Sequence, residues 1–121
     1  MEEQLKVQDI DKRSFDFAVR VIETVNWLPK SIASYELSKQ IIRSSASINS
    51  NIVQARSGVS KADFLQHMRV ALKEAKETQR WIEMMVATKL ISKGETESLL
   101  KENIEIIKIL VTIIKNTQEN Q

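Results

Sequence analysis

Apolar residues recur along almost the whole chain at intervals of three and four positions, which is the period of a helix buried on one side. The first such stretch predicts a helix over about residues 9–28. Pro29 ends it, because the residue before a proline avoids the helical region. We interpret residues 1–8 as a loose leader. The apolar stripe of this helix is Phe15, Ala18, Val19, Ile22 and Val25.

The second stretch predicts a helix over about residues 34–56, with Gly58 just beyond its end as a left-handed C-terminal cap. It carries two apolar lines that lie about 100° or more apart around the axis, whereas a helix in a simple bundle needs only one. This helix is therefore either the most buried of the chain or also in contact with another subunit. The first line is Leu37, Ile41, Ile48, Ile52 and Ala55, and the second is Tyr35, Ile42, Ala46 and Val53.

Two further stretches predict helices over about residues 61–88 and 94–116. Each opens with a serine and an acidic residue three positions later, at Ser60 and Asp63 and at Ser92 and Glu95, close to the capping-box pattern. Only a few residues connect these long helices, so neighbouring helices run antiparallel. The core stripe of the third helix is Leu65, Met68, Leu72, Ala75, Ile82 and Val86. The fourth carries Leu99, Leu100, Ile104, Ile107, Leu110, Val111 and Ile114.

Composition narrows the fold class further. The 121 residues include two glycines, one proline and no cysteine, so disulfide frameworks and thiolate metal sites are excluded. Three turn-forming residues are too few to punctuate a sandwich or a barrel. We predict a single all-α domain over residues 1–121, folded as an antiparallel up-down-up-down four-helix bundle.

The charge of the chain is mild and concentrated in its middle. Eighteen basic and sixteen acidic residues give a net charge of +2, whereas residues 31–91 alone carry nine basic and five acidic residues. An anionic partner is therefore expected at the middle of the chain. The most hydrophobic stretch, residues 104–114, is too short to span a bilayer, and the acidic N-terminus lacks the apolar core of a secretory signal. We expect a cytoplasmic protein that does not contact membranes.

The chain offers little for catalysis. His67 is the only histidine, and its helical position places it at the boundary of the core stripe rather than in a site. A di-metal carboxylate bundle needs Glu-x-x-His on two helices, and glycine-rich phosphate loops are absent. We therefore predict no catalytic, cofactor-binding or metal-binding residues, no small-molecule substrate and no enzymatic activity.

Four basic residues form the clearest candidate for nucleic-acid contact. They are spaced by four, three and four positions, so they share one ridge of the third helix, about 100° from its core stripe. Such a ridge suits contact with phosphates. The alternative is a solvated, salt-bridged face, since Glu77 follows Lys73 by four residues and Glu83 follows Arg80 by three. The ridge is Arg69, Lys73, Lys76 and Arg80.

Apolar residues outside the core stripes predict a subunit interface. On the third helix these residues lie across the axis from Met68 and Leu72, and exposed tryptophan beside methionine is common in interfaces. Together with the second apolar line of the second helix, they indicate a homo-oligomer. The alternative is an irregular bundle that folds them inside. The candidates are Tyr35, Ile42, Val53, Val70, Trp81 and Met84.

A polar set on the second and third helices has two interpretations. If subunits pack on these faces, a partly buried pair between Arg43 and a glutamate fixes the register, because such pairs support specificity more than stability. Otherwise these side chains simply face water. The set is Arg43, Ser47, Asn51, Glu74 and Glu77.

Several of these residues resemble a known bacterial family. Helix 2 of the four-helix bundle proteins encoded in intervening sequences of 23S rRNA genes reads like R-x-x-x-S-I-x-x-N-I-x-E-G. That pattern is matched at Arg43, Ser47, Ile48, Asn51 and Ile52, and Glu77 matches a glutamate of the next helix. Gln54 and Ala55 stand where the pattern has Glu-Gly, which indicates a divergent branch.

The resemblance covers residues 10–115 and implies a small antiparallel bundle that assembles as a ring-like homopentamer. It implies no catalytic activity. The family includes the accessory variability determinant of diversity-generating retroelements, which works with a reverse transcriptase and RNA. We therefore expect a non-catalytic, oligomeric interaction or scaffold protein. The alternative is an accessory protein that binds RNA or DNA and partners a reverse transcriptase, and a bundle enzyme ranks last.

Overall fold

The computed structural model describes residues 2–90 and 93–120, and within them the chain is helical throughout apart from the connections. The all-helical, four-helix prediction is confirmed, and the described part contains no strand. The helices are α1 (Glu2–Val25), α2 (Ile32–Arg56), α3 (Lys61–Ala87) and α4 (Lys93–Glu119).

The four helices pack as a closed square. Within the described residues α1 packs against α2 and α4, and α3 packs against the same two helices, whereas α1 does not contact α3. Since each short connection reverses the chain, α1 and α3 occupy diagonal corners and run parallel to each other. None of the described helices is long and apolar enough to cross a membrane.

The first helix differs from the prediction at both ends. It begins at Glu2 rather than near residue 9, so the expected loose leader is wrong for residues 2–8. The reason is that Val7 and Ile10 are buried and extend the core face of the helix toward its start. The helix also ends at Val25, before Pro29, because the N–H groups of residues 27 and 28 bond to carbonyls three positions back in a tighter turn.

The buried face of α1 is only partly the one predicted, since Ala18 is buried and Val25 packs against the core as expected. Phe15, Val19 and Ile22 of the predicted stripe are exposed, at 57%, 40% and 41%. A second apolar line is buried instead. It includes a small residue, Ser14, where the helices approach closely. The residues that α1 buries are Val7, Ile10, Ser14, Phe17, Ala18 and Val21.

The other core stripes are largely confirmed. On α2, four of the five residues of the first line are buried and Leu37 packs partly buried against them. On α3, Met85 is buried in place of the predicted Val86, which is exposed. On α4, Val111 is exposed, whereas the buried residues are Leu99, Ile106, Leu110, Ile113 and Ile114.

Serine side chains begin two of the helices. Ser31 caps α2 in a reciprocal arrangement with Ser34, and Ser60 caps α3 by accepting a hydrogen bond from the Asp63 backbone N–H at 3.1 Å. The prediction for the start of α4 involves Ser92, which lies outside the described residues. Gly94 lies within the first turn of α4, in open space.

Gly58 does not form the predicted left-handed cap. Neither glycine has a positive φ, and the cap residue of α2 is Ser57, with φ −94°. The N–H groups of Ser57 and Gly58 bond to carbonyls three residues back, at Gln54 and Ala55, so the helix ends in a tight right-handed turn. Glycine relieves crowding there, because a Cβ at residue 58 would lie 3.1 Å from the Ala55 carbonyl oxygen.

Candidate interaction surfaces

The predicted polar set is partly brought together, and within a single chain. Arg43 on α2 lies over the junction with α3, where its Nη1 is 3.4 Å from Glu74 Oε1 and its Nη2 is 3.7 Å from Glu77 Oε2. The other two residues do not join this cluster. The Asn51 side-chain amide donates to the Ser47 backbone carbonyl at 2.8 Å, on the same helix.

The two glutamates of this cluster differ in environment. Burial raises the pKa of Glu74, and the neighbouring Glu77 carboxyl raises it further through a hydrogen bond and through charge repulsion, against the opposing effect of Arg43. The same hydrogen bond lowers the pKa of Glu77, with help from Arg43 and Lys73. Burial and Glu77 therefore favour the protonated form of Glu74, whereas Glu74, Arg43 and Lys73 favour the ionised form of Glu77. This arrangement secures the α2–α3 junction.

A buried hydroxyl pair lies beside the cluster. Thr78 Oγ1 on α3 is hydrogen-bonded to Ser44 Oγ on α2 at 2.8 Å, and both residues are fully buried. Thr78 also donates to the Glu74 carbonyl one turn back. Such short side chains let α2 and α3 approach closely. The small residues around Ser44 can be seen in the sequence of α2, but the sequence does not indicate that Thr78 bonds to one of them.

The basic ridge of α3 is exposed along its whole length. Arg80 Nη1 lies 3.4 Å from Glu83 Oε1, while Arg69, Lys73 and Lys76 have no ion pair within 4.0 Å among the described residues. The alternative Lys73–Glu77 ion pair does not form. The Glu77 carboxylate is instead hydrogen-bonded to Glu74 and lies near Arg43. Three unpaired cations and one paired cation therefore face outward on one ridge.

The predicted interface residues fall into two groups. On α2, Tyr35 is 62% exposed and Val53 is exposed, while Ile42 is partly buried. On α3, Met84 is exposed, and Val70 is partly buried.

Trp81, predicted to be exposed, instead packs against the core and is only partly accessible. Its Nε1–H is buried and has no acceptor in the part of the chain that the structure describes. The interpretation that these residues fold inside thus holds in part for Trp81. The large exposed tryptophan of the chain is Trp27, in the α1–α2 connection.

One apolar surface combines α1 residues that sequence reasoning assigned to the core with α2 residues that it assigned to a subunit interface. The Asn49 amide on α2 donates to Asp11 Oδ1 on α1 at 2.9 Å, which marks the junction of these helices. Phe15 and Ile22 follow Asp11 by four and eleven positions, so they lie on the ridge beside this junction. On α2, Ile42 precedes Asn49 by seven positions and Val53 follows it by four, so both lie on the ridge beside the same junction. We call the resulting patch the α1–α2 apolar surface: Phe15, Val19, Ile22, Tyr35, Ile42 and Val53.

A catalytic arrangement does not emerge from the described residues. His67 is partly buried, and its Nε2 lies 3.7 Å from Asp63 Oδ1, one turn back on α3, as expected for a boundary histidine. No group of three histidine, aspartate or glutamate side chains is placed to hold a metal ion, within the part of the chain described.

Comparison with known proteins identifies the family. The sequence profile of the 23S rRNA-intervening sequence protein family matches residues 6–112, nearly the whole bundle. The chain belongs to this family. A solved structure from Bacteroides thetaiotaomicron, described as a protein of unknown function from the S23 ribosomal protein family, is 38% identical to this intervening sequence protein. The match covers 91% of this chain and 98% of that one, with a TM-score of 0.85. No curated protein matches the chain.

Proposed function

We propose that this intervening sequence protein is a non-catalytic subunit of a homo-oligomer and acts as an interaction or scaffold module in the bacterial cytoplasm. The observation that carries the proposal is the α1–α2 apolar surface, which includes two of the largest side chains of the molecule, Phe15 and Tyr35, both more than half exposed. Exposed apolar side chains gathered on one side of two neighbouring helices are typical of interaction sites.

The positions of the exposed apolar side chains indicate which kind of partner binds. Further exposed or partly exposed apolar side chains lie on α3, at Val70, Trp81 and Met84, so the chain carries two separate apolar areas. Two areas on one chain suit assembly with copies of itself, in which each copy uses both. Resemblance to the family favours five copies in a ring.

Native mass spectrometry tests this proposal directly. We expect the wild-type chain to give a mass that is a multiple of 13.9 kDa, five times that value for the pentamer. Replacement of Phe15 and Tyr35 by serine removes the two most exposed large side chains of the patch and should shift the mass toward the monomer. A wild-type chain found only as a monomer at high concentration contradicts the proposal.

A second candidate function is supported by the unpaired cations of α3. In this alternative the chain is an accessory protein, similar to the accessory variability determinant, that contacts RNA or DNA through Arg69, Lys73, Lys76 and Arg80 and partners a reverse transcriptase. Cations without intrachain partners are available to phosphates. Replacement of all four residues by alanine should then weaken RNA binding and flatten its salt dependence, and unchanged binding contradicts this alternative.

A further inference from the structure

The outer face of α1 carries a line of acidic residues. Asp9, Asp16 and Glu23 are separated by seven positions, which is about two helical turns, so they lie one above another along the helix. All three are exposed. Asp16 pairs with Lys12 on the same helix at 3.0 Å, whereas Asp9 and Glu23 have no ion pair within 4.0 Å in the described part of the chain. We call this line the acidic stripe.

The acidic stripe and the basic ridge are each bordered by apolar residues, on opposite sides. At 100° per residue and viewed from outside with the N-terminus at the bottom, Phe15, Val19 and Ile22 lie to the left of the acidic stripe. On α3, Val70 and Met84 lie to the right of the basic ridge. When two parallel helices meet face to face, the left side of one meets the right side of the other. Parallel docking of α1 on α3 therefore places apolar against apolar and acid against base.

The two lines of charge also lie at similar heights in the bundle. Across α4, Arg13 pairs with Glu102 and the Asn103 amide donates to the Ala75 carbonyl, which puts residue 12 level with residue 75. Across α2, Asn49 bonds to Asp11 and Arg43 pairs with Glu74, which puts residue 17 level with residue 74.

The two routes differ by six residues, about 9 Å of helix, in the correspondence that they give between α1 and α3. Their mean places Asp9 level with Arg69, Asp16 level with Lys76, and Glu23 within about three residues, or ~4.5 Å of helix, of Arg80. Long basic side chains span that distance. Two copies of the chain thus need a shift of no more than about 4.5 Å along the bundle axis to align these charges.

The fourth helix is a poorer partner for the acidic stripe. Lys101, Lys108 and Lys115 are also exposed at intervals of seven, but Lys108 Nζ already lies 3.8 Å from Glu105 Oε1, and Glu97 and Glu105 flank Lys101 at four positions on either side. Moreover, α4 runs antiparallel to α1, so copies that share one axial direction cannot align these helices in parallel.

We propose that a second copy of this chain docks the acidic stripe of its α1 on the basic ridge of α3, with both helices parallel and at similar heights. This inference rests on the proposed homo-oligomer and specifies its interface. The contact is heterologous, because each copy contributes a different face, and repetition of such a contact without axial shift closes into a ring when the rotation allows. The basic ridge is then a protein contact, covered in the assembly and closed to nucleic acid.

Charge reversal with reciprocal rescue tests this interface. Arg69→Glu/Lys76→Glu reverses two ridge residues that have no intrachain ion pair and creates favourable pairs with Lys73 and Arg80 at four positions. Asp9→Lys/Asp16→Lys reverses their proposed partners. Each variant alone should fall from the wild-type mass to 13.9 kDa in native mass spectrometry. An equimolar mixture, and a single chain with all four substitutions, should regain oligomers.

The control is Lys101→Glu/Lys115→Glu on α4, which has the same formal charge change as the ridge variant and should leave the wild-type mass unchanged. Far-UV circular dichroism must show native helicity for every variant. If the wild type is oligomeric and both reversal variants remain so, the interface lies elsewhere while the proposed oligomer stands. If the control dissociates instead, α4 is the partner. A monomeric wild type overturns both proposals.

RNA binding gives the opposing outcome. If the wild-type oligomer binds a structured RNA, and Arg69→Glu/Lys76→Glu abolishes that binding without changing the oligomeric mass, the ridge is a nucleic-acid surface and the docking interface is overturned. If the ridge is covered as proposed, the reversal changes the mass, and the wild-type oligomer shows no ridge-dependent RNA binding.

Discussion

The α2–α3 junction is closed by short polar side chains, whereas the α1–α4 junction is formed by branched apolar ones around an open groove. Ser44 and Thr78 are hydrogen-bonded in the first, at 2.8 Å and out of contact with water. The second retains a groove of about 370 Å³, with Ile109 and Ile113 of α4 among the residues that line it.

The two junctions also hold their charged residues differently. At α2–α3, Glu74 is buried and shares a hydrogen bond with Glu77 under Arg43. At α1–α4, Arg13 and Glu102 make two hydrogen bonds at 2.7 and 2.8 Å near the rim, and this contact raises the pKa of Arg13. The close α2–α3 junction thus depends on specific buried polar groups. The α1–α4 junction depends on apolar contact and a peripheral ion pair, and it has room for larger side chains.

Added volume should separate the junctions most clearly. Ser44→Leu places a branched side chain where Thr78 now lies within hydrogen-bond distance, and it also removes that bond. We expect a loss of about 2–4 kcal/mol in the free energy of unfolding, measured by urea denaturation. Thr112→Leu adds a similar side chain to the α1–α4 groove and should change stability by less than about 0.5 kcal/mol. Equal losses at both sites would remove the distinction between the junctions.

Removal of the buried hydroxyl should have an intermediate effect. Thr78→Val keeps the shape of the side chain but loses the bonds to Ser44 Oγ and the Glu74 carbonyl. It leaves the buried Ser44 hydroxyl with a poorer partner, so we expect a loss of about 1–2 kcal/mol in the same measurement. Thr78→Ser retains the hydroxyl and serves as the control. A neutral Thr78→Val variant would mean that packing alone holds α2 and α3 together.

The smallest effect, and one whose size depends on pH, is expected at Glu74. Because burial raises its pKa, the folded chain retains a proton that the unfolded chain releases. The carboxyl therefore contributes stability below its unfolded-state pKa and loses that contribution as the pH rises through the folded-state value. Compared with Glu74→Gln, the wild type should lose stability as the pH rises above the ordinary pKa range of a glutamate.

Urea unfolding at several pH values measures this difference. Glu119→Gln, at an exposed position near the end of α4, is the control and should follow the wild type at every pH. A difference between wild type and Glu74→Gln that stays constant, or that changes in favour of the wild type as the pH rises, would show that Glu74 is charged in the folded chain.

The sequence predicted the fold where one apolar pattern dominates a helix. On α3 the spacing from Leu65 to Ile82 leaves a single face to bury, and that face is buried. On α1 two apolar lines compete, through Phe15 and through Phe17, and periodicity cannot rank them. The rotation of α1 is set by contacts distant in sequence, such as Asn49 to Asp11, which no local pattern contains.

The candidate sites show the same limit. Spacing alone placed the four cations on one ridge of α3, and the structure exposes all of them. Sequence reasoning placed an Arg43–glutamate pair at a subunit interface, whereas the structure pairs Arg43 with Glu74 and Glu77 of the same chain. The acidic stripe of α1 is visible in the sequence as a seven-residue interval. Its match to the basic ridge depends on α1 and α3 running parallel at similar heights, which no local pattern contains.

The contact between α1 and α4 joins the two helices that are farthest apart in the chain. Arg13 and Glu102 are 89 residues apart, so their contact carries the largest loop-closure entropy of the bundle. The α2–α3 hairpin closes a far shorter loop and buries its own polar groups. Opening the α1–α4 contact therefore releases more chain entropy than opening the α2–α3 hairpin does.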